Sequence, residues 1–226
     1  MVTDERSLIY RIVMAFAWPI VRWWGRLEVV GLRVLPRSGA TLMMVNHDSA
    51  WDPVVVGVAA IPRREIRALA KASLWKAKPM AWVLDGMRQI PIERGRGDSE
   101  ALSAAIDGLR DGGCVGVFPE GTVSRGRPLR PLSGAGRLAL AVPGAHVVGV
   151  AVTGAVDIVR FPKRPRIRVE FFEPVDGQPR AGESSIGLTR RVMKQVRAMA
   201  PHTIPGRPKK AAKYRLALAE PAQGDR

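Results

Sequence analysis

The sequence predicts an α/β fold: a single domain with a mixed, largely parallel sheet flanked by helices, preceded by an N-terminal amphipathic helix. Three observations predict it. Apolar runs of strand length recur along the chain, and stretches with helical spacing separate them. At 226 residues, with 46% apolar and 25% charged residues, the chain can bury one ordinary core and carry tails. No stretch reaches the roughly 20 apolar residues that span a bilayer. The apolar run Ile12 to Ile20 is short and flanked by Arg11 and Arg22, and the start Asp4-Glu5 is wrong for a signal peptide.

Residues 7–27 read as an interfacial helix. Leu8, Ile9, Ile12, Val13, Phe16, Ile20, Val21 and Trp24 form a broad apolar surface, interrupted by Arg11, Arg22 and Arg26 and joined by Tyr10, Trp18 and Trp23. Amphipathic rings with basic neighbours suit a headgroup boundary, and Pro19 is placed to kink the helix. The alternative is a core helix with its tryptophans buried. Leu27 to Leu35 alternates enough for an edge strand, and Pro36 to Gly39 is a turn.

Thr41 to Val45 is the first central strand, and Pro53 to Ala60 starts a helix. Ile66 to Ala70 is a second short strand. Ser73 to Leu84 is helical with a break at Pro79. Gln89 to Glu93 is strand-like and leads into the basic loop Arg94-Gly95-Arg96-Gly97. Asp98 caps a helix to Leu109, whose stripe is Leu102, Ala105, Ile106 and Leu109. Cys114 to Phe118 is a buried strand, Gly134 to Val142 a short helix, and His146 to Val152 and Ile167 to Phe172 are strands. Glu183 to Met199 is a last amphipathic helix. From Pro201 the chain turns rich in Pro, Ala and Lys, as a disordered basic tail does. The expected organisation is therefore an interfacial helix over 1–27, a domain over 28–200 and a basic tail over 201–226.

A net charge of +16 points to a polyanionic partner: nucleic acid, an anionic membrane or phosphorylated substrates. Few aromatics interleave with the basic residues of the tail, which argues against stacking on single strands, so no nucleic-acid partner is expected. One cysteine, Cys114, allows no internal disulfide and no cysteine-rich metal site, and suits a reducing compartment. His47, His146 and His202 lie too far apart in sequence to suggest a metal cluster.

Three chemically loaded stretches fall at the ends of expected strands, where α/β sheets collect ligands. The first is Asn46-His47-Asp48-Ser49-Ala50-Trp51-Asp52. His47 and Asp52 could be a general base and the carboxylate that orients it. On an ideal helix positions five apart point about 140° from each other. The pair can meet only if the segment begins as a turn and becomes helical near Asp52, with Asp52 as cap and Pro53 at the first helical position. The plainer alternative is a strand cap followed by a helix cap. The second stretch is Arg94, with Arg96 or Arg88, which could hold a phosphate. The third is Pro119-Glu120-Gly121-Thr122, with a carboxylate for hydroxyl groups and a glycine whose backbone a ligand can approach. Arg94 could also be one solvated charge among many, and Glu120 a turn residue.

The chain has no Gly-x-Ser-x-Gly and no Walker loop, and Gly112-Gly113 precedes a strand rather than a helix. A covalent serine or cysteine mechanism is thus less well supported than direct attack by a substrate hydroxyl with histidine as base.

These motifs resemble the glycerolipid acyltransferase family typified by 1-acyl-sn-glycerol-3-phosphate acyltransferase. Asn46, His47 and Asp52 match its Asn-His-x-x-x-x-Asp motif. Gly86 through Ile90-Pro91-Ile92-Glu93-Arg94 looks like its second motif, and Phe118 to Thr122 is its Phe-Pro-Glu-Gly-Thr, continued by Ser124-Arg125. Two positions differ: Val148-Gly149-Val150 stands where the family's fourth motif carries a central proline, and Ser133-Gly134 where Lys-x-Gly is common.

The resemblance implies acyl transfer from acyl-CoA or acyl carrier protein to the sn-2 hydroxyl of lysophosphatidate, giving phosphatidate. It implies His47 as base, Asp52 as its orienter and Arg94 on the acceptor phosphate. Glu120 and Gly121 would position the glycerol, with Asn46, Thr122 and Arg125 as supporting contacts. No metal or redox cofactor is implied, and the expected site of action is the cytoplasmic face of an anionic membrane. Another lyso-lipid or glycolipid acceptor, or a non-enzymatic basic membrane- or nucleic-acid-binding role, are the alternatives.

Overall fold

The computed structural model of the chain describes residues 7–93, 99–159, 162 and 164–202. Helix α1 (Leu8–Trp18) continues into a π-helical turn, Pro19–Trp24. Then follow β1 (Glu28–Val30), a 3-10 turn (Leu32–Val34), β2 (Thr41–Val45), α2 (Asp52–Ala60) and β3 (Arg67–Lys71). A second 3-10 turn (Ala72–Lys76) leads to α3 (Lys78–Gly86), β4 (Ile90–Ile92), α4 (Ser99–Arg110) and β5 (Cys114–Val117). The order closes with α5 (Gly134–Ala141), β6 (His146–Thr153), β7 (Arg168–Phe172) and α6 (Ser185–Met199).

The seven strands make one sheet in the order β1-β7-β6-β2-β5-β3-β4. Five of the six strand pairings are parallel; only β6 with β7 is antiparallel. The expected mixed, largely parallel sheet is present, with β1 at its edge and β2 in the middle. All five residues of β2 are buried. Their period of two splits them between two cores. Met43 and Val45 join the core under α1 and α2, and Leu42 and Met44 join the core under α4, α5 and α6. A strand covered on both faces has to be apolar at every position, which is why it reads as a continuous run.

The elements depart from the expected ones in a few places. The helix over residues 7–27 is not simply kinked at Pro19. It ends at Trp18, and Pro19 opens a wider turn closed by Gly25 N–H donating to Ile20 O at 2.8 Å. Proline supplies no N–H to the preceding α-helical ladder, so the change of pitch falls there. Tyr10, Met14, Ala17 and Val21 face the core, while Leu8, Phe16 and Trp23 stay exposed. The core alternative with its tryptophans buried does not hold, since Trp18 and Trp23 are exposed and Trp24 is half-buried. The break expected at Pro79 falls at Ala77, whose backbone is extended, because a proline is tolerated in a helix's first turn. Asp98, the expected cap of α4, lies outside the described residues, as does the chain from residue 203 on. The packed chain runs through His202, which is buried.

Candidate active site

Strands β5, β2 and β6 run the same way; β5 and β2 end side by side, and β6 continues to Thr153. Met44 pairs with Val117 and Val45 with Val150, so the chain leaving β2 emerges between its two neighbours. Asn46 is the first residue out. Its amide accepts from Val152 N–H at 2.8 Å and donates to Val152 O at 2.9 Å and to Asp48 Oδ2 at 3.0 Å. Both amide hydrogens are used internally, and the side chain is fully buried. Asn46 therefore acts on the site by extending the β2–β6 pairing one residue and aiming the turn that follows.

His47 sits on that turn, 6% exposed, with its ring tilted on Phe118 at a centroid distance of 4.6 Å. Its Nδ1 lies 3.2 Å from Asp52 Oδ2. Asp52 does not cap forwards. Helix α2 opens at Asp52 itself, with Trp51 before it and Pro53 second. The carboxylate points back and accepts from Asp48 N–H at 2.7 Å and Ser49 N–H at 2.8 Å. These two bonds fold residues 47–52 into the turn that lets positions five apart meet. Burial pushes the Asp52 carboxyl above the usual aspartate value, against the downward pull of His47 and the Ser49 N–H. With Asp52 taking the Nδ1 hydrogen, the lone pair is on Nε2, and no described residue hydrogen-bonds that nitrogen.

The Phe118–Thr122 turn lies against this one. Gly121 N–H donates to Phe118 O at 2.9 Å, and Gly121 has φ +69, with its α-carbon facing Leu132 so closely that a β-carbon would meet that side chain at 2.8 Å. Glu120 is buried and accepts from His47 N–H at 3.0 Å. Ser124 N–H donates to His47 O at 2.7 Å. Thus both backbone groups of His47 are held by the Phe118–Ser124 segment. Thr122 and Arg125 are exposed, and Arg125 has φ +51, a conformation non-glycine residues rarely adopt.

A residue that local pattern does not single out completes the cluster. Arg197, in the last turn of α6, donates Nη1 to Asp48 Oδ2 at 2.8 Å and Nε to Glu120 Oε1 at 2.6 Å. It also reaches Asp48 Oδ1 at 3.1 Å and Glu120 Oε2 at 2.5 Å through Nη2. One guanidinium thereby joins the two motif turns. Burial works against its charge, but the Asp48 and Glu120 carboxylates more than offset that and hold its pKa above the ordinary arginine value. Two carboxylates on one guanidinium leave a net negative charge, and burial pushes Glu120 up despite Arg197. Ser124 Oγ donates to Asp48 Oδ1. His202 is buried with Nδ1 3.9 Å from Asp48 Oδ1; burial, helped by Arg197, lowers its pKa to about 4. Glu120, Arg197 and His202 also line a cleft of about 460 Å³ with Leu129, Met193 and Lys194. His47 and Asp52 do not line it.

The structure thus brings Asn46, His47, Asp52, Glu120 and Gly121 together, with Thr122 and Arg125 on the rim of the same turn. Arg94 and Arg96 lie outside the described residues. Gly149, where the fourth motif departs, faces the ring of Phe172: a β-carbon there would meet Phe172 Cζ at 2.3 Å. Glycine at that position makes room for an aromatic from β7. Ser133 precedes α5 as its cap residue.

The family model described as Acyltransferase matches residues 26–153, more than half of the chain. The chain is 26% identical over 155 residues to a 1-acyl-sn-glycerol-3-phosphate acyltransferase of Bacillus subtilis, covering 68% of this chain and 66% of that protein. It is 32% identical over 124 residues to a protein of the same name from Borreliella burgdorferi, covering 53% and 48%. It is 31% identical over 143 residues to a lyso-ornithine lipid O-acyltransferase of Pseudomonas aeruginosa, covering 59% and 53%. The chain therefore spans between about half and just under two thirds of the length of these curated relatives. The crystal structure of the 1-acyl-sn-glycerophosphate (LPA) acyltransferase from Thermotoga maritima superposes with a TM-score of 0.69 at 21% identity, over 85% of this chain and 78% of that one, which is the same fold. From its matched domain and its fold, this chain belongs to the Acyltransferase family.

Proposed function

We propose that the chain transfers a fatty acyl group from a thioester, acyl-CoA or acyl carrier protein, to the sn-2 hydroxyl of lysophosphatidate, giving phosphatidate. The observation that carries this is the His47 ring held at Nδ1 by Asp52 while Nε2 is left for a substrate. Nε2 takes the proton of the acceptor hydroxyl as its oxygen attacks the thioester carbonyl. The tetrahedral intermediate collapses, the carbon–sulfur bond breaks, and the proton on Nε2 passes to the departing thiolate. Asp52 keeps the ring in the required tautomer and offsets its positive charge while it holds the proton. No metal or redox cofactor enters this scheme.

Arg94 is assigned to the acceptor phosphate, and Thr122 and Arg125 to the acceptor at the rim. Gly121 allows close approach of its backbone, and Glu120 acts by fixing the His47 backbone. In this reading the protein works on the cytoplasmic face of an anionic membrane, met through α1, and the lipid acceptor and the net positive charge support that. A second reading keeps the reaction and changes the acceptor to a lyso-ornithine lipid. The Pseudomonas relative's name and the altered fourth motif at Gly149 favour it.

The test is thiol release from acyl-CoA by the wild-type protein with lysophosphatidate, with lyso-ornithine lipid and with neither, beside His47→Ala. Release that depends on lysophosphatidate and disappears in His47→Ala is expected. Release that depends only on lyso-ornithine lipid replaces the acceptor. Release without an acceptor makes the protein a thioesterase and overturns the transfer reading.

A further inference from the structure

Helix α3 is unusual for a helix on the surface of a water-soluble domain: none of its nine residues is buried, and neither is any in the 3-10 turn before it. Nine-residue helices are marginal in water on propensity alone and usually owe their stability to a packed apolar face. This one packs Val83 partly against the core and leaves other apolar residues uncovered. Leu74 and Met80 are exposed, and Trp82 is 66% exposed. The same holds for the outer side of α1, where Leu8, Ile12 and the 77% exposed Phe16 follow one another at helical spacing.

The two elements are neighbours. Ile9 packs over Gly86 so tightly that a β-carbon there would meet Ile9 Cδ1 at 2.1 Å, and Ser7 Oγ donates to Gly86 O. The start of α1 is therefore pinned to the end of α3. Nine of the fourteen large apolar side chains exposed among the described residues lie on α1, its π-helical turn, α3 or the turn before α3. That concentration on two elements in contact with each other is not a scatter of single exceptions. Charge indicates what covers it. Residues 7–27 and 71–88 carry seven Lys or Arg side chains and a single carboxylate, Asp85, which accepts from Trp75 Nε1 at 2.6 Å.

We propose that α3 is a second membrane-docking element, joined to α1 in one surface that seats on a bilayer containing anionic lipid. This rests on the lipid acceptor read above and extends it. Apolar side chains with tryptophans and flanking cations suit the boundary between headgroups and acyl chains. A single docked helix leaves the domain free to roll about the helix axis, and a second contact stops that roll. The roll matters because α1 packs on α2, which opens at Asp52, while α3 leads through β4 into the segment that carries Arg94. Docking through both elements holds the His47–Asp52 turn at one orientation to the membrane.

The experiment is co-sedimentation of the full chain with phosphatidylcholine vesicles and with mixed phosphatidylcholine–phosphatidylglycerol vesicles, without any acyl substrate. The proteins compared are wild type, M80E/W82E and, as a control from another face, Leu140→Glu. M80E/W82E is expected to lose about tenfold or more of its partition onto the mixed vesicles, and Leu140→Glu to bind as wild type does. On detergent-dispersed lysophosphatidate, M80E/W82E is expected to turn over like wild type. Because binding is read without turnover, a wrong acceptor leaves this test interpretable. A second measurement does not depend on a charge reversal: brominated lipid in the mixed vesicles should quench wild-type tryptophan emission more than that of Trp82→Phe. Equal partition of M80E/W82E and wild type overturns the proposal, as does equal quenching. Self-association abolished by M80E/W82E, with no vesicle binding by wild type, assigns the surface to a second copy and overturns it too.

Discussion

Asp52 and the pair Asp48–Glu120 are all buried beside His47, yet they are neutralised in different ways. Asp48 and Glu120 share the guanidinium of Arg197, which is charged at every working pH. Among the described residues Asp52 has no such partner. Its Oδ2 accepts two backbone N–H groups and faces His47 Nδ1, and its Oδ1 is buried with no hydrogen bond. A permanent cation makes the first arrangement indifferent to the progress of a reaction. Under the proposed mechanism the second is sensitive to it, because the cation that Asp52 would face among the described residues is the imidazolium formed when Nε2 takes a proton. In the proposed mechanism, the buried carboxylate without a permanent cation serves the chemistry, and the two that share Arg197 hold the geometry.

The largest expected effect tests the reactive half. His47→Ala should lower the rate of acyl transfer by about 10²–10⁴-fold, the usual span for a general base, with little change in melting temperature. Full turnover in that variant would leave Asp52 with nothing to orient. Next comes the structural half. Arg197→Gln leaves two buried carboxylates without their cation and should destabilise the fold by about 3–5 kcal/mol in denaturant titration. The triple variant that also carries Asp48→Asn and Glu120→Gln should recover part of that loss. An unchanged midpoint for Arg197→Gln would erase the contrast between the two halves.

Asp52→Asn should cost about 10²-fold in kcat with the acceptor KM unchanged, as for an interaction made in the transition state. A rise in KM alone would move Asp52 to substrate binding. The smallest effect is a matter of pH. His202 has a folded-state pKa near 4, below the ordinary histidine value of 6.5, so the unfolded chain binds the extra proton between those limits. Stability therefore rises with pH through that window and is lost as pH falls from 6.5 towards 4. Subtracting the His202→Asn stability curve from that of wild type should show a slope confined to that range. A flat difference would place His202 in contact with solvent and outside the Asp48–Arg197 cluster.

Much of this molecule follows from short stretches of sequence. Thr41 to Val45 reads as a buried central strand because a strand covered on both faces is apolar throughout. The His47–Asp52 pair is legible because six consecutive residues contain the histidine, its carboxylate and the backbone N–H groups that bend the turn. Phe118 to Thr122 carries its own glycine at the position where the backbone needs a positive φ. The partner of Asn46 is not legible in this way, since Val152 lies 106 residues away and nothing near Asn46 announces it.

The sequence by itself determined the α/β alternation, the strand ends where the motifs fall, and the one turn that joins a histidine to its carboxylate. Those depend on periodicity and on hydrogen bonds between near neighbours. Only the tertiary structure decided which of 36 basic side chains would neutralise Asp48 and Glu120. Arg197 is 149 residues from the first and 77 from the second. Its place depends on how α6 packs against β2 and β6, and that packing is set by the whole apolar face of the helix. In the same way, packing alone decided which side of α1 went into the core, because both sides are apolar enough to be buried and only one has α2 beneath it.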